Sequence, residues 1–152
     1  MWWHWILHAA LLFLLAVFMI DGVTFLWVRR LYELFYHISR KTHGMMILCD
    51  LDGFKSVNDT HGHPTGDRIL RRVAWILLTE SWLRAFRYGG DEFSILLPFS
   101  SDEEARKLVG RIQMRMRQDP LLAECGIGIS CGIGRNEQEA DKALYREKDR
   151  RK

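Results

Sequence analysis

Cysteine is scarce in this sequence, and the three cysteines do not stand at the spacing of a zinc site. Cys49, Cys125 and Cys131 are odd in number and far apart, and each lies in an apolar run of the kind that forms a strand. Such residues are typical of buried thiols that stay reduced in the cytosol. The pattern therefore predicts no zinc centre.

A dense basic stripe is also missing. The 22 Lys and Arg residues are balanced by 19 acidic ones, which leaves a formal net charge of +3. That excess is too small and too dispersed to predict nucleic-acid binding, so any affinity for a polyanion must come from a local site. No internal repeat or low-complexity linker interrupts the chain, and its 152 residues allow one domain and one membrane helix.

Formal charge is absent from residues 2–20, WWHWILHAALLFLLAVFMI. These 19 residues are long enough, as a helix, to cross a hydrocarbon core of about 30 Å. Tryptophans lead the run, and every Lys and Arg lies at or beyond Arg29. By the positive-inside rule, the sequence predicts a single-pass protein of the bacterial inner membrane, with residues 1–20 as the anchor and residues 21–152 as a cytoplasmic domain.

Two other interpretations of this run stay open. A secretory signal peptide would need a basic leading region and a small-residue cleavage site, and neither is visible. A buried core helix is the second alternative, because the apolar character continues past Asp21 in VTFLWV.

The remaining chain alternates between helical and strand patterns. The predicted elements are, in order, an amphipathic helix (29–42), an apolar strand (45–49), a helix (66–78), a hairpin turning at Gly89 and Gly90, a helix with a capping box (101–117), a strand in GIGISCGI and a closing helix (137–152). This order predicts an α/β sandwich in which helices cover a central sheet.

Two acidic clusters fall where predicted strands end. Asp50 and Asp52 lie in DLDGFK, and Asp91 and Glu92 lie in GGDEF. Carboxylates at such edges suit hard divalent cations held against a phosphate. Either cluster alone is more simply an ordinary solvated turn, but the two together, each next to an apolar strand, favour a site.

Small and basic residues accompany these acids. Gly89 and Gly90 would let a triphosphate approach the backbone without a side-chain clash, and Lys55 could neutralise a phosphate. The sequence therefore predicts a metal-dependent site for a phosphorylated substrate.

Three runs carry a resemblance to a known family: DLDGFKSVNDTHGHPTGDRIL from Asp50, RYGGDEF from Arg87 and ADKALYREK from Ala140. Together they are similar to the GGDEF family of diguanylate cyclases. DGVTFLWVRR from Asp21 more weakly resembles the family's opening DxLTGLxNRR, with Phe25 in place of Gly. The resemblance implies a GGDEF, nucleotidyl-cyclase-like fold with a mostly antiparallel central sheet.

The resemblance also implies the reaction, in which two GTP molecules are condensed into cyclic di-GMP and two pyrophosphates at a homodimer interface. Asp50, the Leu51 carbonyl and Asp91 would hold two Mg²⁺ ions per site, with Mn²⁺ as a substitute. Glu92 would help to deprotonate the attacking 3′-hydroxyl, and Asp91 is the second catalytic carboxylate.

Substrate contacts follow from the same matches. Asn58 and Asp67 would recognise the guanine edge, and Lys55 and Lys148 would contact the β and γ phosphates. Lys152 stands where the family has a phosphate-contacting Arg. The other substrate-binding positions are Phe54, Gly89 and Gly90.

The sequence departs from the family in three places. The RxxD of an inhibitory product site is absent, since Glu80 and Leu83 occupy its ends; the segment before the last helix is short; and Lys152 replaces an Arg. These departures leave open an inactive module that binds GTP or serves as a dimerisation or regulatory partner. A membrane structural protein would explain the apolar run but not the joint spacing of the motifs, and it predicts no affinity for GTP.

Overall fold

A computed structural model describes residues 20–150 of the chain, together with Ile6, His8 and Ala9. The elements are β1 (Trp27–Val28), α1 (Arg29–Lys41), β2 (Met45–Asp52), α2 (Phe54–His61), α3 (His63–Glu80), β3 (Ala85–Arg87), β4 (Glu92–Leu97), α4 (Asp102–Gln118), α5 (Pro120–Glu124), β5 (Gly128–Gly134) and α6 (Glu137–Asp149).

These strands form one sheet in the order β1-β3-β4-β2-β5. β1 and β3 are parallel, whereas the other neighbouring pairs are antiparallel. The predicted α/β sandwich with a mostly antiparallel sheet is therefore confirmed. The β3–β4 hairpin and the capping box of Ser101 and Glu104 are confirmed with it.

β2 divides its side chains between two apolar clusters, because successive residues of a strand point to opposite faces. Met45, Ile47, Cys49 and Leu51 belong to the larger core, which α3 and α4 complete. Met46 and Leu48 belong to a smaller cluster with residues of α1 and α6. Continuing the alternation places Asp50 and Asp52 on the α6 side of the sheet.

Two helices, α2 and the five-residue α5, and the two-residue strand β1 were not predicted. Residues 54–61 form α2 directly after Gly53, whose φ of 83° is left-handed. The helix buries only Val57. It therefore shows no apolar repeat, and its polar composition resembles a turn.

The thiols are only partly as predicted. Cys49 and Cys131 are buried opposite each other on β2 and β5, with their Sγ atoms 3.4 Å apart. Cys125, in contrast, is half-buried and follows α5 instead of lying in a strand.

The predicted location in the inner membrane requires correction. No helix among the residues that the structure describes is long and apolar enough to cross a bilayer. The longest of the helices α1–α6 is α3, whose 18 residues include charged side chains such as Asp67 and Arg71. A membrane span, in contrast, needs about 20 predominantly apolar residues. The predicted anchor itself, residues 1–20, lies outside the described residues except for Ile6, His8, Ala9 and Ile20.

The contact between α6 and β5 depends on Gly132. A Cβ atom added there would overlap the Ala140 carbonyl oxygen and the Leu144 amide nitrogen, both in the backbone of α6. We expect Gly132→Ala to lower the free energy of unfolding by about 1–3 kcal/mol, because α6 must move away from the sheet. Urea unfolding followed by circular dichroism measures the change.

Gly110→Ala is the matched control. Gly110 lies within α4 with open space around its Cα, so the same substitution should raise the free energy of unfolding by about 0.5–1 kcal/mol. Equal unfolding midpoints for the two variants would contradict the close packing of α6.

Candidate active site

The sheet brings the two acidic clusters together where β2 ends and β4 begins. We call this place, with Asp50, Asp52, Asp91 and Glu92, the acidic edge. Asp50, near the end of β2, is the register partner of Glu92, the first residue of β4. The Leu51 amide donates a 3.3 Å hydrogen bond to the Asp91 carbonyl. The fold thus brings Asp50, Leu51, Asp91 and Glu92 together.

The turn between β3 and β4 determines where the Glu92 side chain lies. The amides of Tyr88 and Gly89 both donate to the Glu92 carbonyl, at 2.9 and 3.1 Å. A Cβ atom added at Gly89 would overlap Glu92 Oε2, whereas Gly90 has open space around it. Gly89 is therefore required for the carboxylate to lie against the turn, and Gly90 leaves the adjacent backbone accessible.

Arg87 braces this turn. Its Nη2 donates to the Gly90 carbonyl at 2.7 Å, and its Nε lies 3.2 Å from the carbonyls of both Gly89 and Gly90. Its Nη1 donates to Asp21 Oδ1 at 2.7 Å. Asp21, which precedes Arg87 by 66 positions in the chain, thus supports the Gly-Gly turn through Arg87.

Asp21 is itself held in place by Thr24, whose hydroxyl and amide donate to Oδ1 at 2.6 and 2.8 Å. Burial alone would raise the pKa of Asp21, but the bonds from Thr24 and Arg87 outweigh burial and lower that pKa below its usual value. The carboxylate stays ionised at neutral pH, and its contribution to stability is lost only as the pH falls through this lowered pKa. Sequence reasoning missed the pairing of Asp21 with Arg87, although both residues lie in the matched motifs.

The predicted guanine-binding residues come from the α2–α3 pair. A Cβ atom added at Gly66 would overlap Asn58 Oδ1 and lie 3.3 Å from Phe54 Cζ, so these two side chains of α2 lie against Gly66 of α3. Asp67 follows Gly66 directly on α3. Asn58 Oδ1 is buried and has no hydrogen-bond partner within the described part of the chain. An unmatched acceptor of this kind costs about 1–3 kcal/mol, which a donor on a ligand could offset.

The predicted basic residues differ in position. Lys148 Nζ lies 2.7 Å from Asp50 Oδ1, which places α6 over the acidic edge. Lys55 is exposed in the first turn of α2. Lys152 lies outside the described residues.

α6 is fixed to the rest of the fold near both of its ends. Glu137 Oε1 accepts hydrogen bonds from the hydroxyls of Tyr32 and Tyr88 at 3.1 and 3.0 Å. Burial, followed by the charge of Glu137, raises the pKa of Tyr32 far above its usual value, so this phenol remains a donor. Near the other end, Glu147 accepts from Gln113 Nε2 at 3.0 Å and from the Cys131 amide at 3.3 Å.

The acidic edge does not form a complete metal cage by itself. No group of three or more His, Cys, Asp or Glu side chains suited to a metal ion occurs in the described part of the chain. Mg²⁺, however, is commonly held by one or two carboxylates together with substrate phosphates and waters. Asp50, the Leu51 carbonyl and Asp91 fit an ion that binds together with a triphosphate.

Residues 80–83 stand where the family resemblance implies an inhibitory RxxD, and they form a different local structure. Glu80 accepts hydrogen bonds from Arg115 at 2.9 Å and Arg111 at 3.0 Å, which lower its pKa despite partial burial. Trp82 and Leu83 follow with left-handed φ values of 53° and 65° and are exposed. The position of the missing Arg is thus occupied by a carboxylate that is already paired.

The fold and the acidic edge define a nucleotidyl-cyclase-like domain, and comparisons with known proteins agree. Residues 19–152 match the family model described as diguanylate cyclase, GGDEF domain. The chain is 40% identical over 115 residues to the diguanylate cyclase DosC of Escherichia coli K12, covering 66% of this chain and 25% of DosC. The chain belongs to the GGDEF family.

Further relatives have the same domain. The diguanylate cyclase DgcZ of Escherichia coli K12 is 36% identical over 116 residues, which cover 66% of this chain and 38% of DgcZ. The coiled coil and GGDEF domain of DgcB from Caulobacter crescentus, solved in complex with c-di-GMP, superpose with a TM-score of 0.84 at 25% identity, covering 94% of this chain and 87% of that structure. The chain thus spans between a quarter and two fifths of the two curated relatives.

The bracing of the Gly-Gly turn by Arg87 can be tested by hydrogen exchange. We expect Arg87→Ala to speed exchange at the Gly89 amide roughly tenfold, because charge-assisted hydrogen bonds to two turn carbonyls are lost. Arg106→Ala, which removes an exposed i,i+4 ion pair on α4, should leave that amide unchanged. Unchanged exchange at Gly89 in Arg87→Ala would contradict the bracing role.

Proposed function

We propose that this chain is a diguanylate cyclase that condenses two GTP molecules into cyclic di-GMP and releases two pyrophosphates, with residues 21–152 as the catalytic domain. The observation that carries the proposal is the placement of Asp50 opposite Glu92, beside a glycine turn that leaves the backbone open. The relatives named as diguanylate cyclases support it, although they are much longer proteins.

Asp50, Asp91 and the Leu51 carbonyl are the proposed ligands of two Mg²⁺ ions, for which Mn²⁺ can substitute. Such ions, when bound with the substrate, neutralise the charge that develops on the transferred phosphoryl group. The protein's own contribution is to place these oxygens at one sheet edge through the pairing of β2 with β4.

Glu92 is the proposed general base. Its carboxylate lies against Gly89 and can accept the proton of a GTP 3′-hydroxyl as that oxygen attacks the α-phosphate of the second GTP. Lys55, Lys148 and Lys152 are the proposed contacts of the β and γ phosphates, where they would stabilise the departing pyrophosphate.

Guanine would bind where α2 meets α3. Asp67 can accept from the N1 and N2 hydrogens of guanine, and the amide side chain of Asn58, whose Oδ1 has no partner among the described residues, can pair with the remaining edge. Phe54 lines the same place. Adenine would leave these polar groups unsatisfied, which favours GTP over ATP.

One chain would hold one GTP, so the reaction needs two copies that face each other as a homodimer. The product is not expected to inhibit through an RxxD site, because Glu80 would repel its phosphates and is already bonded to Arg111 and Arg115.

Glu92→Gln tests the catalytic proposal. The amide keeps the shape of the side chain but cannot accept the proton, so we expect the rate of cyclic di-GMP formation to fall by about 10²–10⁴-fold. The assay incubates the full chain with GTP and Mg²⁺ and quantifies cyclic di-GMP by mass spectrometry. Glu103→Gln, an exposed position on α4, is the control and should keep the wild-type rate.

Two results would contradict this assignment. If Glu92→Gln keeps more than a tenth of the activity, Glu92 is not the base. If the wild-type chain makes no cyclic di-GMP but binds a fluorescent GTP analogue, the protein is the GTP-binding module that the sequence left as an alternative.

Asp67→Ala tests base recognition. GTP carries an N2 amine that ITP lacks, and Asp67 is proposed to accept a hydrogen bond from that amine. We therefore expect the preference for GTP over ITP, measured as the ratio of the two kcat/KM values, to be about tenfold smaller in Asp67→Ala than in the wild type. Asp102→Ala on the exposed start of α4 should preserve the preference. An unchanged ratio in Asp67→Ala would remove Asp67 from the guanine site.

A further inference from the structure

Lys148 forms an ion pair with a proposed metal ligand. Its Nζ lies 2.7 Å from Asp50 Oδ1, with the Lys148 and Asp50 side chains 37% and 16% exposed. The pair is partly shielded from solvent, which distinguishes it from the exposed pairs on α4.

The position of α6 directs Lys148 to this carboxylate. The preceding residue, Glu147, is bonded to Gln113 and to the Cys131 amide, which fixes the last turns of the helix against β5. Glycines on β5 let the backbone of α6 lie directly on the sheet. Lys148 therefore reaches Asp50 from a firmly attached helix.

The charge of the acidic edge explains why a cation is placed there. Asp50 and Glu92 are cross-strand partners, Asp91 lies beside Leu51, and Asp52 is two residues beyond Asp50. The Ser130 hydroxyl donates to Asp52 at 2.8 Å but adds no positive charge. Like charges at this spacing repel each other, and the ammonium group of Lys148 offsets part of that repulsion.

We propose that Lys148 couples metal binding to nucleotide binding. In the nucleotide-free protein it neutralises Asp50 and opposes the approach of a divalent cation. When a triphosphate binds, the ammonium group moves to the phosphates, and Asp50 becomes available to the metal. This inference rests on the proposed function, which assigns Asp50 to the metal and Lys148 to the phosphates.

A lysine is chemically suited to such a transfer. It is a compact charge on a flexible four-carbon stem, whereas an arginine would hold a carboxylate through two parallel hydrogen bonds. Because coupling between two ligands is reciprocal, the nucleotide raises the affinity for the metal by the same factor by which the metal raises the affinity for the nucleotide.

The experiment measures metal binding without catalysis. Free Mn²⁺ is quantified by electron paramagnetic resonance while the nucleotide-free full chain is titrated, for the wild type, Lys148→Met and Lys142→Met. We expect Lys148→Met to bind Mn²⁺ about tenfold more tightly than the wild type, because the competing charge is gone. Lys142→Met, an exposed position on the same helix, should match the wild type. Adding Asp50→Asn to Lys148→Met should abolish the gain.

A second measurement follows the coupling. The affinity for a GTP analogue with a methylene group between the α and β phosphorus atoms is determined by calorimetry, with EDTA and with saturating Mn²⁺. In the wild type, Mn²⁺ should raise the affinity for the analogue by a factor within or above the roughly 5–150-fold range common for linked sites. In Lys148→Met this factor should be about tenfold smaller.

The outcomes separate this inference from the proposed function. If Lys148→Met and the wild type bind Mn²⁺ alone equally well, and the analogue still promotes Mn²⁺ binding, the coupling role of Lys148 is wrong while the metal site stands. If the wild type binds no Mn²⁺ even with the analogue, the proposed metal site is wrong and the inference falls with it.

Discussion

The two-residue alternation of β2, at an interior position between β4 and β5, is the constraint on which the site depends. The strand must bury Met45, Ile47, Cys49 and Leu51 in the larger core, and this leaves the alternate residues on the face beneath α6. A shift of one residue in register would exchange the two faces. The apolar pattern that stabilises the sheet therefore also fixes the side to which Asp50 and Asp52 point.

Close packing of α6 converts this arrangement into a site with opposite charges. Gly132 and Gly134 leave no room for a Cβ atom between β5 and the helix. The tyrosines that donate to Glu137 attach one end of α6 to α1 and to the β3–β4 hairpin. The helix thus presents Lys148 to the Asp50 carboxylate of β2.

The glycine turn is supported by interactions outside its own hairpin. Gly89 makes space for the Glu92 carboxylate, and Arg87 ties the carbonyls of the turn to Asp21. Gly89 and Gly90 have no side chains that could hold the turn in place. The turn before the proposed base still has a defined position, because Arg87 donates hydrogen bonds to its carbonyl groups.

The sequence by itself determined the family, the main alternation of helices and strands, and the two acidic clusters, because strand periodicity, glycine turns and capping residues are local patterns. It could not identify α2 or α5, each of which has a single buried residue, or the half-buried loop position of Cys125. It also led to a location in the membrane that the described helices do not support. Only the tertiary structure decided that Arg87 pairs with Asp21 and Lys148 with Asp50, since each pair joins residues far apart in the chain through the register of the sheet and the packing of a helix upon it.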